Sequence, residues 1–172
     1  MNRIYLVGFM GVGKSTVGKK LAAKLGWDFF DTDAIFEKKY KVHIDTFFTK
    51  YGEELFRRLE HDVLTSTFAL ENCVISTGGG MPCYFDAMEK INDNGLSIHI
   101  DMSEKAIVNR LINSKQKRPL IINKSKDELL DFVHAKLLIR NPYYTKAILT
   151  TSALSINIDN LHCDIKSIIK IN

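Results

Sequence analysis

Apolar positions along this chain fall into two alternating rhythms. Short unbroken runs, at residues 4–7 and at Val74-Ile75 between Cys73 and Ser76, read as strands buried on both faces, as the inner strands of a parallel sheet are. Residues 27–30 read as a short aromatic strand, and 96–100 and 154–158 alternate with period two. Between these runs the spacing is helical. Val17, Leu21 and Leu25 recur at i, i+4, i+8; residues 35–40, 44–50 and 52–70 follow, the last with Leu55, Leu59 and Val63 on one face. Helices are also expected over 86–94, from an N-cap at Ser103 to about residue 112, over 126–139 and over 161–169. Residues 114–123 are polar and basic, interrupted by Arg118-Pro119, and read as a loop; Asn141-Pro142 reads as a break. Five strands alternating with helices predict an α/β fold, an open five-stranded parallel sheet with helices on both faces. Ligands of such sheets sit at the carboxyl ends of the strands.

Composition narrows this picture. With 172 residues and 45% apolar content, the chain is expected to form a single domain over 1–172, and three prolines and ten glycines leave no stretch resembling a linker. The net charge of +4 is spread along the chain, which suits small anionic ligands and argues against a nucleic-acid partner. Cys73, Cys83 and Cys163 are an odd number without C-x-x-C spacing, pointing away from disulfides and zinc and toward a reducing, cytoplasmic setting. Only seven residues precede Gly8, too few for a signal peptide or a membrane span. No long exposed apolar stripe is evident, so a monomer is expected. The histidines lack metal-ligand spacing.

The chemistry begins directly after the first strand. Gly8, Gly11, Gly13, Lys14 and Ser15 form G-x-x-x-x-G-K-[ST], set between a strand and a helix as a phosphate-binding loop must be. Backbone N–H groups freed of Cβ atoms approach phosphate oxygens, Lys14 adds mobile charge, the helix N-terminus favours an anion, and the Ser15 hydroxyl is placed for Mg²⁺. After the second strand come Asp31 and Asp33, two apart in a segment expected to be extended, so that both point to one side and Thr32 away. One carboxylate suits Mg²⁺ through its water shell, and the other an acceptor hydroxyl. Arg57 and Glu60 share a helix face at i, i+3, either as a surface ion pair or as an oriented fork for a substrate carboxylate. Gly78-Gly79-Gly80 follows the third strand, where a flexible turn and a close approach of backbone to ligand are both open. Arg118 and Arg140 complete the positive set.

Taken together, GFMGVGKSTVG, DTD, FRRLE, TGGG, RPL and RNPYY, in that order and across essentially the whole length, resemble the shikimate kinases, small P-loop kinases of the nucleoside-monophosphate-kinase-like fold. The resemblance implies a P-loop NTPase sheet with a short lid at about 113–123 and substrate-binding helices at about 33–62. It implies that Gly11, Val12, Gly13, Lys14, Ser15 and Thr16 hold the ATP phosphates, with Arg110 against the adenine and the lid residue Arg118 reaching the phosphates. Ser15 and Asp31 would serve Mg²⁺. Asp33 would bind the shikimate hydroxyls and act as base; Arg57 and Arg140 would clamp the carboxylate, with Glu60 orienting Arg57. Phe48, Phe56, Gly78, Gly79, Gly80 and Pro119 would line the acceptor pocket. The implied reaction is transfer of the ATP γ-phosphoryl group to the 3-hydroxyl of shikimate in chorismate and aromatic amino-acid biosynthesis. The chain departs from the family's usual pattern at Ile121, which ends RPLI, and at Ile148 and Leu149 after Tyr144. On the residues alone, a P-loop kinase of gluconate or of a nucleotide, and a nucleotide-binding protein without turnover, remain alternatives.

Overall fold

The computed structural model describes residues 2–114, 121 and 124–169. Strands β1 (Arg3–Val7), β2 (Asp28–Asp31), β3 (Cys73–Ser76), β4 (Leu96–Asp101) and β5 (Leu149–Ser152) form one parallel sheet in the order β2-β3-β1-β4-β5. The helices among the described residues are α1 (Lys14–Leu25), α2 (Thr32–Tyr40), α3 (Ile44–Ser66), α4 (Ala87–Asn94), α5 (Glu104–Ile112), α6 (Lys126–Tyr144) and α7 (Ile158–Ile168). None of them is long and apolar enough to cross a membrane.

Alternation along β1 explains why helices cover both faces. Ile4 and Leu6 point into a core shared with Leu21 of α1, Val108 of α5, Val133 of α6 and Ile165 of α7. Tyr5 and Val7 point the other way, into a core with Leu64 of α3 and Met88 and Ile91 of α4. Each such side chain contributes about 2 kcal/mol by leaving water, so the central strands, apolar on both faces, hold the two layers together. A third cluster, Phe36, Phe47, Phe56 and Val63, joins α2 to α3 beside the sheet.

The strand order places the cleft. From β1 the chain passes to β2 beyond β3, whereas from β3 it passes to β4 beyond β1. Connections leaving adjacent strands in opposite directions open a crevice at their carboxyl ends, and the loops after Val7 and Ser76 bound it.

Several local expectations are corrected. The last strand is Leu149–Ser152, not 154–158: Leu149 to Ser152 pair with Ile98 to Asp101, and Leu154 is 65% exposed. The alternation further on belongs to the entry of α7, where Asn157 Oδ1 accepts from the N–H groups of Asp159 and Asn160. Helix α6 runs through Asn141-Pro142, because Pro142 lies on the exposed side near the helix end and the carbonyl it leaves unpaired can face water. Its start is fixed by a reciprocal cap between Ser125 and Glu128. In α3 the buried face is Phe56, Arg57, Glu60, Val63 and Leu64, and Leu55 is exposed. The helix is turned so that a charged pair faces the cleft. Gly52, at φ 79 and ψ 171, kinks α3 between its two arms, a conformation that a side chain would strain.

Candidate active site

On one side of the cleft, the chain turns from β1 into α1 through Gly11 and Gly13, at φ 81 and 100. Lys14 folds back over this loop and donates to the carbonyls of Gly8 and Phe9, both at 2.8 Å. Val12 is buried beneath it, and its carbonyl accepts from Arg110 Nη1 at 2.8 Å. Arg110, expected against an adenine, thus braces the phosphate loop from α5. Gly11, Gly13, Lys14, Ser15 and Thr16 line a cavity of about 330 Å³ together with Asp31, Asp33, Ser76 and Gly79.

Ser15, in the first turn of α1, donates to Asp31 Oδ2 at 2.7 Å, with Ser76 Oγ 3.2 Å from its hydroxyl. This is an all-oxygen set, the donor chemistry a hard divalent cation prefers. The other Asp31 oxygen accepts from the Asp33 N–H at 3.0 Å, which caps α2. Asp31 therefore ends a strand while Asp33 begins a helix, so the expected extended pair is corrected, although both carboxylates line the same cavity. Thr32 does not point away. It is buried and accepts from the Gly78 N–H at 2.9 Å.

On the other side, Arg57 and Glu60 are 8% and 4% exposed, which removes the surface-pair reading. Arg57 Nη1 donates to Glu60 Oε2 at 2.6 Å, and Nε and Nη2 donate to Glu53 Oε1 at 3.1 and 3.0 Å. Three aromatic rings surround the guanidinium: Tyr84 at 4.3 Å, Phe56 at 5.1 Å and Phe48 at 5.6 Å. Burial pushes the Glu60 carboxyl up to about 7 against the opposing pull of Arg57, with Asp33 adding to the rise. For the Arg57 guanidinium the carboxylates of Glu60 and Glu53 outweigh burial and hold the charge firmly. Arg140, on α6, lies over the Phe9 ring at 5.6 Å and also acts electrostatically on Glu60.

The two sides meet at the glycine triplet. A Cβ on Gly78 would stand 2.7 Å from Asp33 Oδ1 and 2.8 Å from Glu60 Oε1, and one on Gly80 would stand 2.7 Å from both Arg57 Nη atoms. At Gly79 a Cβ would press on the Met10 N–H at 3.1 Å, and the Gly79 carbonyl accepts from the Tyr144 hydroxyl. Side chains here would push the acidic and basic groups out of the cleft. The triplet packs against the site's own side chains, a role its spacing did not reveal.

Glu53, Ser76 and Tyr84 were not among the residues singled out from the sequence. The i, i+4 spacing of Glu53 and Arg57 could have flagged the first, whereas no local pattern marks Tyr84. Arg118 and Pro119 lie outside the described residues.

Comparison with known proteins bears on the family and the fold. A family model described as shikimate kinase matches residues 10–166. A shikimate kinase of Phocaeicola vulgatus is 42% identical over 147 residues, covering 86% of this chain and 84% of its own. Among solved structures, shikimate kinase from Bacteroides thetaiotaomicron matches with a TM-score of 0.90 at 37% identity over 98% of both chains. A shikimate kinase from Acinetobacter baumannii, in complex with shikimate, matches with a TM-score of 0.81 at 32% identity, over 99% of this chain and 93% of its own.

Proposed function

The chain belongs to the shikimate kinase family, and we propose that its cleft transfers the γ-phosphoryl group of ATP to the 3-hydroxyl of shikimate. The observation that carries this reading is the meeting at Gly78, where the phosphate-loop cavity and a buried arginine–carboxylate pair share one wall through Asp33 and Glu60. An acceptor with a hydroxyl at one end and a carboxylate at the other spans such a wall.

In this reading Gly11 to Thr16 hold the ATP phosphates through backbone N–H groups, and Lys14 turns from the loop carbonyls to the phosphate oxygens. Ser15 and Asp31 would hold Mg²⁺, which would neutralise charge on the phosphate oxygens, and the nearby Ser76 hydroxyl extends the oxygen set. Asp33 accepts the proton of the attacking hydroxyl. Arg57 and Arg140 hold the acceptor carboxylate; Glu60 and Glu53 orient Arg57, and Phe48 and Phe56 wall the ring. Arg118, from the lid, neutralises charge on the phosphoryl group in transfer, with Pro119 beside the acceptor and Arg110 toward the nucleobase. A loose transition state needs positioning and charge neutralisation more than covalent help, and these groups supply both. The reading includes a single-domain monomer, and the three unpaired thiols suit a reducing cytoplasm.

The test is ADP release in a coupled assay with Mg·ATP, comparing shikimate, gluconate, a nucleoside monophosphate and no acceptor. ADP formed with shikimate alone is the expected result. ADP with gluconate instead, or with none of the acceptors despite ATP binding, would overturn the assignment of substrate.

A further inference from the structure

We propose that Tyr84 is a positioning residue for Arg57, locking the guanidinium plane in the orientation that receives the acceptor carboxylate. The proposal rests on the reading of Arg57 given above. Glu60 touches the guanidinium at Nη1. A group held at one nitrogen can still pivot about that contact, and a carboxylate clamp requires a fixed plane. The second restraint is Glu53, whose Oε1 takes both Nε and Nη2.

Glu53 alone is a weak anchor, because its side chain is 54% exposed and it follows the Gly52 kink directly. Tyr84 makes it a firm one. The Tyr84 hydroxyl donates to the same Glu53 oxygen at 2.8 Å, while its ring lies 4.3 Å from Arg57 Cζ, nearer than either phenylalanine. Arg57, Glu53 and Tyr84 thus close a three-membered ring of contacts. Against a burial penalty, the hydrogen bonds from Tyr84 and Arg57 keep Glu53 ionised.

Tyr84 is itself braced at both ends. Before it, Met81–Cys83 makes a tight turn directly after the glycine triplet, with the Cys83 N–H donating to the Gly80 carbonyl at 3.0 Å. After it, Phe85 takes a left-handed φ of 53, costly for a bulky residue, and its ring meets His61 of α3 edge-on. Asp86 then pairs with His61 at 2.9 Å and Lys90 at 3.2 Å. A strained residue held between two anchored ones fixes where the tyrosine points.

The experiment measures steady-state kinetics of Tyr84→Phe, Tyr84→Leu and Arg57→Ala with shikimate and with its neutral carboxamide. Tyr84→Phe keeps the ring and loses the hydroxyl. It should raise the KM for shikimate about three- to tenfold, the value of one hydrogen bond, with kcat and the KM for ATP within about twofold. Tyr84→Leu, which also loses the stacked ring, should raise it further. Neither variant should change the KM for the carboxamide, which does not need an aligned guanidinium. Tyr84 variants that leave the shikimate KM unchanged while Arg57→Ala raises it, or that shift both acceptors equally, would overturn the proposal. If Arg57→Ala leaves the shikimate KM unchanged, the reading of Arg57 itself fails, and the proposal falls with it.

Discussion

The phosphate half of the cleft and the acceptor half are built by opposite means. Residues 8–16 form most of the first, as one contiguous turn of backbone and helix N-terminus carrying the Lys14 and Ser15 side chains, with Asp31 and Ser76 beside it. The second takes Asp33 from α2, Arg57 and Glu60 from α3, the triplet after β3 and Arg140 from α6. A contiguous backbone device depends on local conformation and serves any chain of phosphates. A converging side-chain device depends on the packing of distant segments, and its charges must be desolvated to work. Arg57, nearly excluded from water, therefore takes two carboxylate partners, Glu53 and the likewise buried Glu60. On the proposed reading, the contrast separates what binds ATP from what selects the acceptor.

If that division is sound, damage to each half should have its own kinetic signature. A large effect on turnover is expected from Lys14→Met, which removes a charge from the transferring phosphates and a side chain that donates to two loop carbonyls. Turnover should fall ~10²- to 10³-fold, with shikimate affinity, measured by fluorescence titration or calorimetry, changing little. A collapse of shikimate affinity of similar size would erase the distinction between the halves. A smaller effect concerns Glu60, whose carboxyl burial has pushed up to about 7. A substrate carboxylate on Arg57 brings a second negative charge near it and raises it further, so proton uptake and acceptor binding favour one another. The KM for shikimate should therefore decrease about threefold as pH falls through this value, while the KM for ATP stays flat. Glu60→Gln should abolish that slope; a slope that survives the substitution belongs to another group.

The same contrast explains what could be read from the chain. The phosphate loop was legible because its glycine and lysine spacing, the preceding apolar run and the helical period after it are all local. Asp31 and Asp33 were found as a pair, yet their geometry was misjudged: capping of α2 by Asp31 turns the backbone from strand to helix between them. At Arg57 and Glu60, spacing established a shared helix face but not its burial: of the apolar stripe Leu55, Leu59 and Val63, only Val63 is fully buried beside the charged pair, and Leu55 is exposed. The strand at Leu149–Ser152 was missed because an edge strand with alternating half-burial carries little apolar signal, and the stretch at 154–158 imitates one. Tyr84 had no signal at all. Its partners lie on α3, and only the fold brings them together.

The most direct test compares Asp33→Asn with Arg57→Ala in one steady-state experiment, with substrate affinities measured independently. The account predicts that Asp33→Asn lowers kcat ~10²- to 10⁴-fold with shikimate affinity nearly unchanged. It predicts that Arg57→Ala weakens shikimate binding ~10- to 100-fold with a much smaller change in kcat. Equal losses of turnover in both variants, with binding untouched, would contradict it.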